Sequence, residues 1–264
     1  MSETKKSYTQ TLKSFSSTFW VGNLLQLTER WAYFSIFSLL ALYLVAGTDE
    51  GGLGLTHTQK GNIMAHITAI LYLLPLFFGV IADRIGYKLS LLISCVIMGG
   101  GYYLMSVASS YWDTYFAFLL ASVGCSFFRP VVQGIIARHT DEGNSTLGFG
   151  FFYMMGNIGG LLGPAMSSYL RTTMGWKVIF IQAVVVIIFN LIVILFFYKE
   201  PKAERKYNIP LLTEIKGSVQ NIVGALKDKK LTILLLLMVG FWTVFNQLFY
   251  TLPNFIEDWV DSSK

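Results

Sequence analysis

The chain has 264 residues, of which 54% are hydrophobic, 16% aromatic and only 13% charged. Soluble domains carry about 25% charged residues, so this composition excludes an ordinary water-covered globule and predicts a protein embedded in lipid. The formal charge of +5 is scattered through the gaps between apolar runs, which argues against a nucleic-acid surface and reads as membrane topology.

Residues 1–18 are polar and form an expected cytoplasmic tail, and the apolar run after them is too long for a cleaved signal peptide. A helix needs about 20 mainly apolar residues to cross about 30 Å of hydrocarbon. Runs of that length predict spans over 19–45, 61–82, 89–108, 115–137, 149–170 and 178–198, a six-helix bundle over 19–198. A polar stretch over 199–230 then breaks the rhythm. Within it Leu211, Leu212, Ile215, Val219, Ile222, Val223 and Leu226 recur at helical spacing beside Lys216, Lys227, Lys229 and Lys230. That pattern predicts an amphipathic helix on the inner leaflet, with a plain solvated linker as the alternative. A seventh span follows at 231–252, within a last segment of 231–264.

Of the twenty Lys and Arg residues, fourteen fall on the amino-terminal side of the spans and only Lys60, Arg171, Lys177 and Lys264 on the other. The amino terminus is therefore expected in the cytoplasm, with the chain multi-pass in the plasma (inner) membrane. Six helices, a linker and one more helix match the first half of a two-bundle transporter plus the start of its second half. The sequence is accordingly expected to be part of a larger protein, whose carboxy-terminal bundle is the missing partner. Cys95 and Cys125 lie within apolar runs and read as small core residues, not as a disulfide framework.

The two remaining cations, Arg30 and Arg129, lie inside spans together with Glu29. Charges near the bilayer midplane cost a few kcal/mol on insertion scales and mark a cavity or a partner. A purely structural ion pair of Glu29 with Arg30 or Arg129 is the plain alternative. With Glu29 ionised the cluster is net positive, and a guanidinium can hold a carboxylate by two parallel hydrogen bonds. Gln26, Arg30, Tyr33 and Phe34 share one helical face. Tyr72, Asn157, Asn246 and Gln247 fall at similar depth and either line the same cavity or bond between helices. His57 and His66 lie towards one side and His139 towards the other. No cluster of nucleophiles or metal ligands emerges, so neither an enzyme, a metal site nor a cofactor is expected.

Between the second and third spans stands GVIADRIGYK, with Gly79, Asp83, Arg84, Gly86 and Lys88. It resembles the loop signature of the major facilitator superfamily, G-x-x-x-D-R-x-G-[RK]-[RK], with Tyr87 as a departure. An Asp at a helix end beside basic residues can lock neighbouring helix ends in one state and release them in another, a gating role. GGLLGP, with Gly159, Gly163 and Pro164, is similar to the same superfamily's G-x-x-x-G-P motif. The finer resemblance is to the proton-dependent oligopeptide transporters. It rests on QLTERWAYF in the first span, LYLLPLFFGVIADR in the second, GCSFFRP in the fourth, FYMMGNIGGLLG in the fifth and FWTVFNQ in the seventh.

That resemblance implies an all-α membrane protein of major-facilitator type that moves small peptides or related carboxylate solutes by proton symport and alternating access. It places Arg30, Tyr33, Tyr72, Arg129 and Asn157 on the substrate. Two departures bear on coupling: the family's carboxylates are amides at Gln26 and Asn246, which carry no proton. Coupling then runs through Glu29 or His66, or the protein is uncoupled, or its substrate differs. His66 is one residue past the position of a family histidine, so it turns to another face. A drug or organic-anion carrier on the same scaffold, or a non-transporting homologue, remain as rivals.

Overall fold

The structure, a computed structural model, describes residues 8–200 and 210–260. Parts of the expected tail and linker, residues 1–7 and 201–209, lie outside the described residues, as do 261–264. The tail contains a short helix that the sequence reading did not foresee, α1 (Tyr8–Ser14).

The spans follow in the expected order. They are α2 (Ser17–Val45), the bent pair α3 (His57–Leu73) and α4 (Pro75–Ile85), α5 (Tyr87–Val107), α6 (Tyr111–Arg138), α7 (Ser145–Met174) and α8 (Trp176–Phe196). The linker helix is α9 (Leu211–Ala225), and the seventh span is α10 (Lys229–Tyr250), continued by a short α11 (Leu252–Trp259).

Helix starts follow local chemistry. The Ser16 hydroxyl accepts from the Phe19 N–H at 3.2 Å. Thr56 and Gln59 cap α3 reciprocally, and Asp228 accepts from the first N–H groups of α10. Such caps satisfy donors that have no partner inside the helix. The second span is broken where Pro75, lacking an N–H, opens α4, and the two pieces meet at 45°.

Four helices, α5, α6, α8 and α10, are long and apolar enough to cross a membrane, and α3 with α4 makes a fifth. The helices α2 and α7 have the length, 29 and 30 residues, but the first carries the buried charges and the second a run of glycines and polar residues. On α8, Ile181, Val185, Ile188, Ile192 and Leu195 form an exposed stripe, the expected surface towards lipid.

The bundle is organised around α2, which packs mainly on α7 and α8, while α5 packs on α6 and α8 and the bent pair closes against α6. Close approach of α2 and α7 depends on the small residues of the fifth span. A Cβ at Gly163 would stand 2.7 Å from the Trp31 carbonyl oxygen and 2.8 Å from the Ser35 nitrogen. The Ser35 hydroxyl donates to the Gly163 carbonyl at 3.2 Å across the same contact. On the other flank the Thr28 hydroxyl meets Asn190 Oδ1 at 2.5 Å and ties α2 to α8. By contrast, no residue of α10 is buried along its 22-residue length.

Candidate functional site

Glu29 is fully buried, and its carboxylate is gripped by Arg30, whose Nε and Nη2 donate at 2.6 and 2.9 Å. Arg129 approaches the same carboxylate from α6, its Nε 3.8 Å from Oε1. These contacts bring Arg129 of α6 to the adjacent pair Glu29 and Arg30 of α2, and among the described residues no other carboxylate pairs with either arginine.

The two arginines differ in what they have left. Arg30 commits two donors to Glu29, whereas Nε and Nη2 of Arg129 are buried without a hydrogen-bond partner. Arg129 is held instead over the face of Tyr33, its guanidinium carbon 4.5 Å from the ring centroid, and Arg30 lies 5.2 Å from the same ring. The negative ring face attracts both cations.

Arg129 lines a cavity of about 260 Å³ between α2, α3, α6 and α10. Arg30, Tyr33, Tyr72, Arg129 and Asn246 all line it. Gln247 and Asn157 do not. The Gln247 amide bonds to Thr243 and Thr251 within its own helical segment, and Asn157 is exposed on α7. His66 faces away from the cavity, bonded to the Tyr115 hydroxyl at 3.3 Å with its ring set edge-on to the tyrosine.

The rest of the lining is aromatic, including Phe34, Phe37, Trp242, Phe245, Phe249 and Tyr250. Those on α10 were missed as site residues. Their spacing of 242, 245, 249 repeats every three to four positions, so a helical-face count of FWTVFNQLFY would have found them.

One end of the cavity is latched. The Lys60 ammonium donates to Asn254 Oδ1 at 2.7 Å and to the Tyr250 carbonyl at 3.3 Å. The Asn254 amide in turn donates to the Ala41 carbonyl at 3.3 Å. Thr68 and Tyr250 join their hydroxyls, and His57 stands 3.8 Å from Asp258. Lys60 had counted in the sequence only as a loop charge; here it is buried at the start of α3 and ties the second span to the end of the seventh.

At the other end lies the predicted gating loop. Gly86 takes φ 96°, a left-handed value that favours glycine, and lets α4 turn directly into α5. Asp83 accepts from Arg138 at 2.9 Å and from the Tyr87 hydroxyl at 3.0 Å. Arg138 also lies 4.2 Å above the Tyr87 ring, so the departure at Tyr87 joins the ionic contact. The Glu200 carboxylate accepts from the N–H groups of Tyr87 and Lys88 at the start of α5. Arg84 pairs with Glu214 of the linker helix at 2.8 Å, and the Lys88 ammonium donates to the Leu195 carbonyl at 3.0 Å. Gly79 faces Pro130 of α6.

The architecture is a helical bundle around a buried cluster of charge, with an ionic loop between its second and third spans. The chain belongs to the Major Facilitator Superfamily, whose family model matches residues 19–258. Its relatives include the Peptide transporter YePEPT of Yersinia enterocolitica, 27% identical over 57% of this chain and 30% of that protein. The Di-/tripeptide transporter of Lactococcus lactis subsp. cremoris is 22% identical over 95% of this chain and 48% of its own length. A crystal structure of a POT family transporter in complex with 5-aminolevulinic acid superposes with a TM-score of 0.67 at 22% identity. That match covers 90% of this chain and 52% of the other. The chain thus spans about half the length of these relatives or less.

Proposed function

We propose that the chain forms the amino-terminal bundle, linker and first carboxy-terminal helix of a carrier for di- and tripeptides or related small carboxylates, driven by protons. The observation that carries this reading is Arg129: a guanidinium with unpartnered donors, held on Tyr33 at the edge of a cavity and only loosely paired with a sealed glutamate. A substrate carboxylate in the cavity would satisfy these buried donors by two parallel hydrogen bonds once the guanidinium turns towards it. The aromatic wall suits apolar side chains, and the relatives' transport of peptides supports that substrate class.

Coupling follows from competition for the cations. Protonation of Glu29 neutralises it, weakens its hold on Arg30 and frees both guanidiniums for the incoming carboxylate. Conversely, a bound carboxylate replaces Glu29 as counter-ion and favours its protonation, because linkage is reciprocal. Gln26 and Asn246 carry no titratable proton, and the orientation of His66 towards Tyr115 takes it out of this exchange. Alternating access then requires the Lys60–Asn254 latch and the Asp83–Arg138 contact to open in turn, with the amino terminus in the cytoplasm.

The test is uptake of labelled dialanine by the full-length protein in liposomes, with and without an inward proton gradient. Gradient-driven accumulation is the expected result. Exchange of dipeptide without accumulation would make the protein an uncoupled carrier. Uptake of organic anions but not dipeptides would favour another branch of the superfamily, the reading to which Gln26 and Asn246 lend support.

A further inference from the structure

The linker helix presents a surface that the transport cycle does not use. Val219, Ile222, Val223 and Leu226 of α9 are all exposed, an apolar stripe that in water would have no reason to stay uncovered. Where that stripe sits is set by Glu214, which pairs with Arg84 one residue before the end of α4. Since α4 is the lower half of a span, the pair pins α9 at the level where the bilayer's polar region begins.

The charges around the stripe are unbalanced in a specific way. Residues 199–230 contain eight basic and four acidic side chains. Three of the acids are occupied within the fold: Glu200 accepts from the start of α5, Glu214 pairs with Arg84, and Asp228 caps α10. Lys216, Lys227, Lys229 and Lys230 are exposed. Glu200 and Glu214 turn inward and the four lysines outward, while the exposed Asp228 is engaged as a cap, so the described surface beside the apolar stripe is positive.

We infer that α9 and the α9–α10 junction form a binding surface for anionic phospholipid: the stripe enters the headgroup boundary and the lysines bind the acidic headgroups. Apolar burial and attraction to acidic lipid act together in helices of this kind. A soluble acidic partner fits less well, because the ion pair to α4 holds the stripe against the bilayer surface. This inference stands apart from the substrate assigned above.

The experiment uses the full-length protein carrying Val223→Cys in nanodiscs, either of phosphatidylcholine alone or with phosphatidylglycerol added. Cys95 and Cys125 are buried, so a water-soluble maleimide reports on position 223. Nanodiscs expose both faces, so the result does not depend on which way the protein is inserted in cells. Labelling is expected to be slower by roughly fivefold or more in the acidic discs, the effect of about one lysine near a charged surface. High salt, or Lys227→Gln, Lys229→Gln and Lys230→Gln together, should abolish the difference. Equal rapid labelling in both discs would overturn the inference. So would equal protection in both, since that would mean the remainder of the protein covers the stripe.

Discussion

Replacing Arg129 by alanine probes the division of labour between the two arginines. Arg30 is engaged with Glu29 at 2.6 and 2.9 Å, whereas Arg129 stands off at 3.8 Å with two buried donors unpartnered. Arg129 is therefore the group a substrate carboxylate reaches first. Hydrogen bonds to charged groups contribute about 1.5–3 kcal/mol each, so two parallel bonds set a ceiling of about 6 kcal/mol. The Arg129 side chain is 23% exposed, and water in the cavity screens the interaction, which favours the low end. A loss of about 3 kcal/mol corresponds to roughly a hundredfold weaker binding.

The measurement is calorimetric titration of the full-length protein with a dipeptide and with the same dipeptide amidated at its carboxy terminus. Arg129→Ala should cost the acid roughly a hundredfold and the amide no more than about fivefold, the worth of one neutral hydrogen bond. Arg30→Ala should instead lower the melting temperature most, because it strips the close partner from a fully buried carboxylate. Equal losses for acid and amide in Arg129→Ala, or no loss for either, would refute the assignment of the Arg129 guanidinium to the substrate carboxylate.

Other consequences concern the frame around the site. Gly163→Ala puts a methyl 2.7 Å from the Trp31 carbonyl oxygen, so α2 and α7 must part. About 1–3 kcal/mol of stability should be lost, read as a lower melting temperature in detergent, and an unchanged value would deny the contact. Lys60→Met keeps the aliphatic stem but removes the bonds to Asn254 and Tyr250. Maleimide labelling of a reporter Tyr72→Cys should then accelerate several-fold, and no change would mean that the other latch contacts suffice. Asp83→Asn weakens the contacts with Arg138 and Tyr87 in an exposed setting. It should change stability by under about 1 kcal/mol yet alter the rate of dipeptide exchange, so an unaltered rate would remove the gating role.

Much of the framework was legible in the chain itself. The apolar runs expected as spans all appear as helices, because lipid leaves backbone groups no partner except the helix's own. The position of Pro75 dictated a break that a run of 61–82 concealed, since hydropathy registers side chains and is blind to a missing N–H. The loop motif was readable as ionic, but its partners were not: Arg138, Glu200 and Glu214 reach it from three other parts of the chain.

Sequence alone placed Glu29, Arg30 and Arg129 inside long apolar runs, and the cost of burying charge in hydrocarbon marked them for a partner or a cavity. It determined, too, that Gln26 and Asn246 cannot carry protons, which is a matter of side-chain chemistry. Only the tertiary structure decided which cation is engaged and which keeps unpartnered donors. That depends on how α6 sets Arg129 over Tyr33, a distance between residues 96 positions apart. Helical periodicity places a side chain on a face, whereas the packing of one face against another decides which of its hydrogen-bond donors remain free.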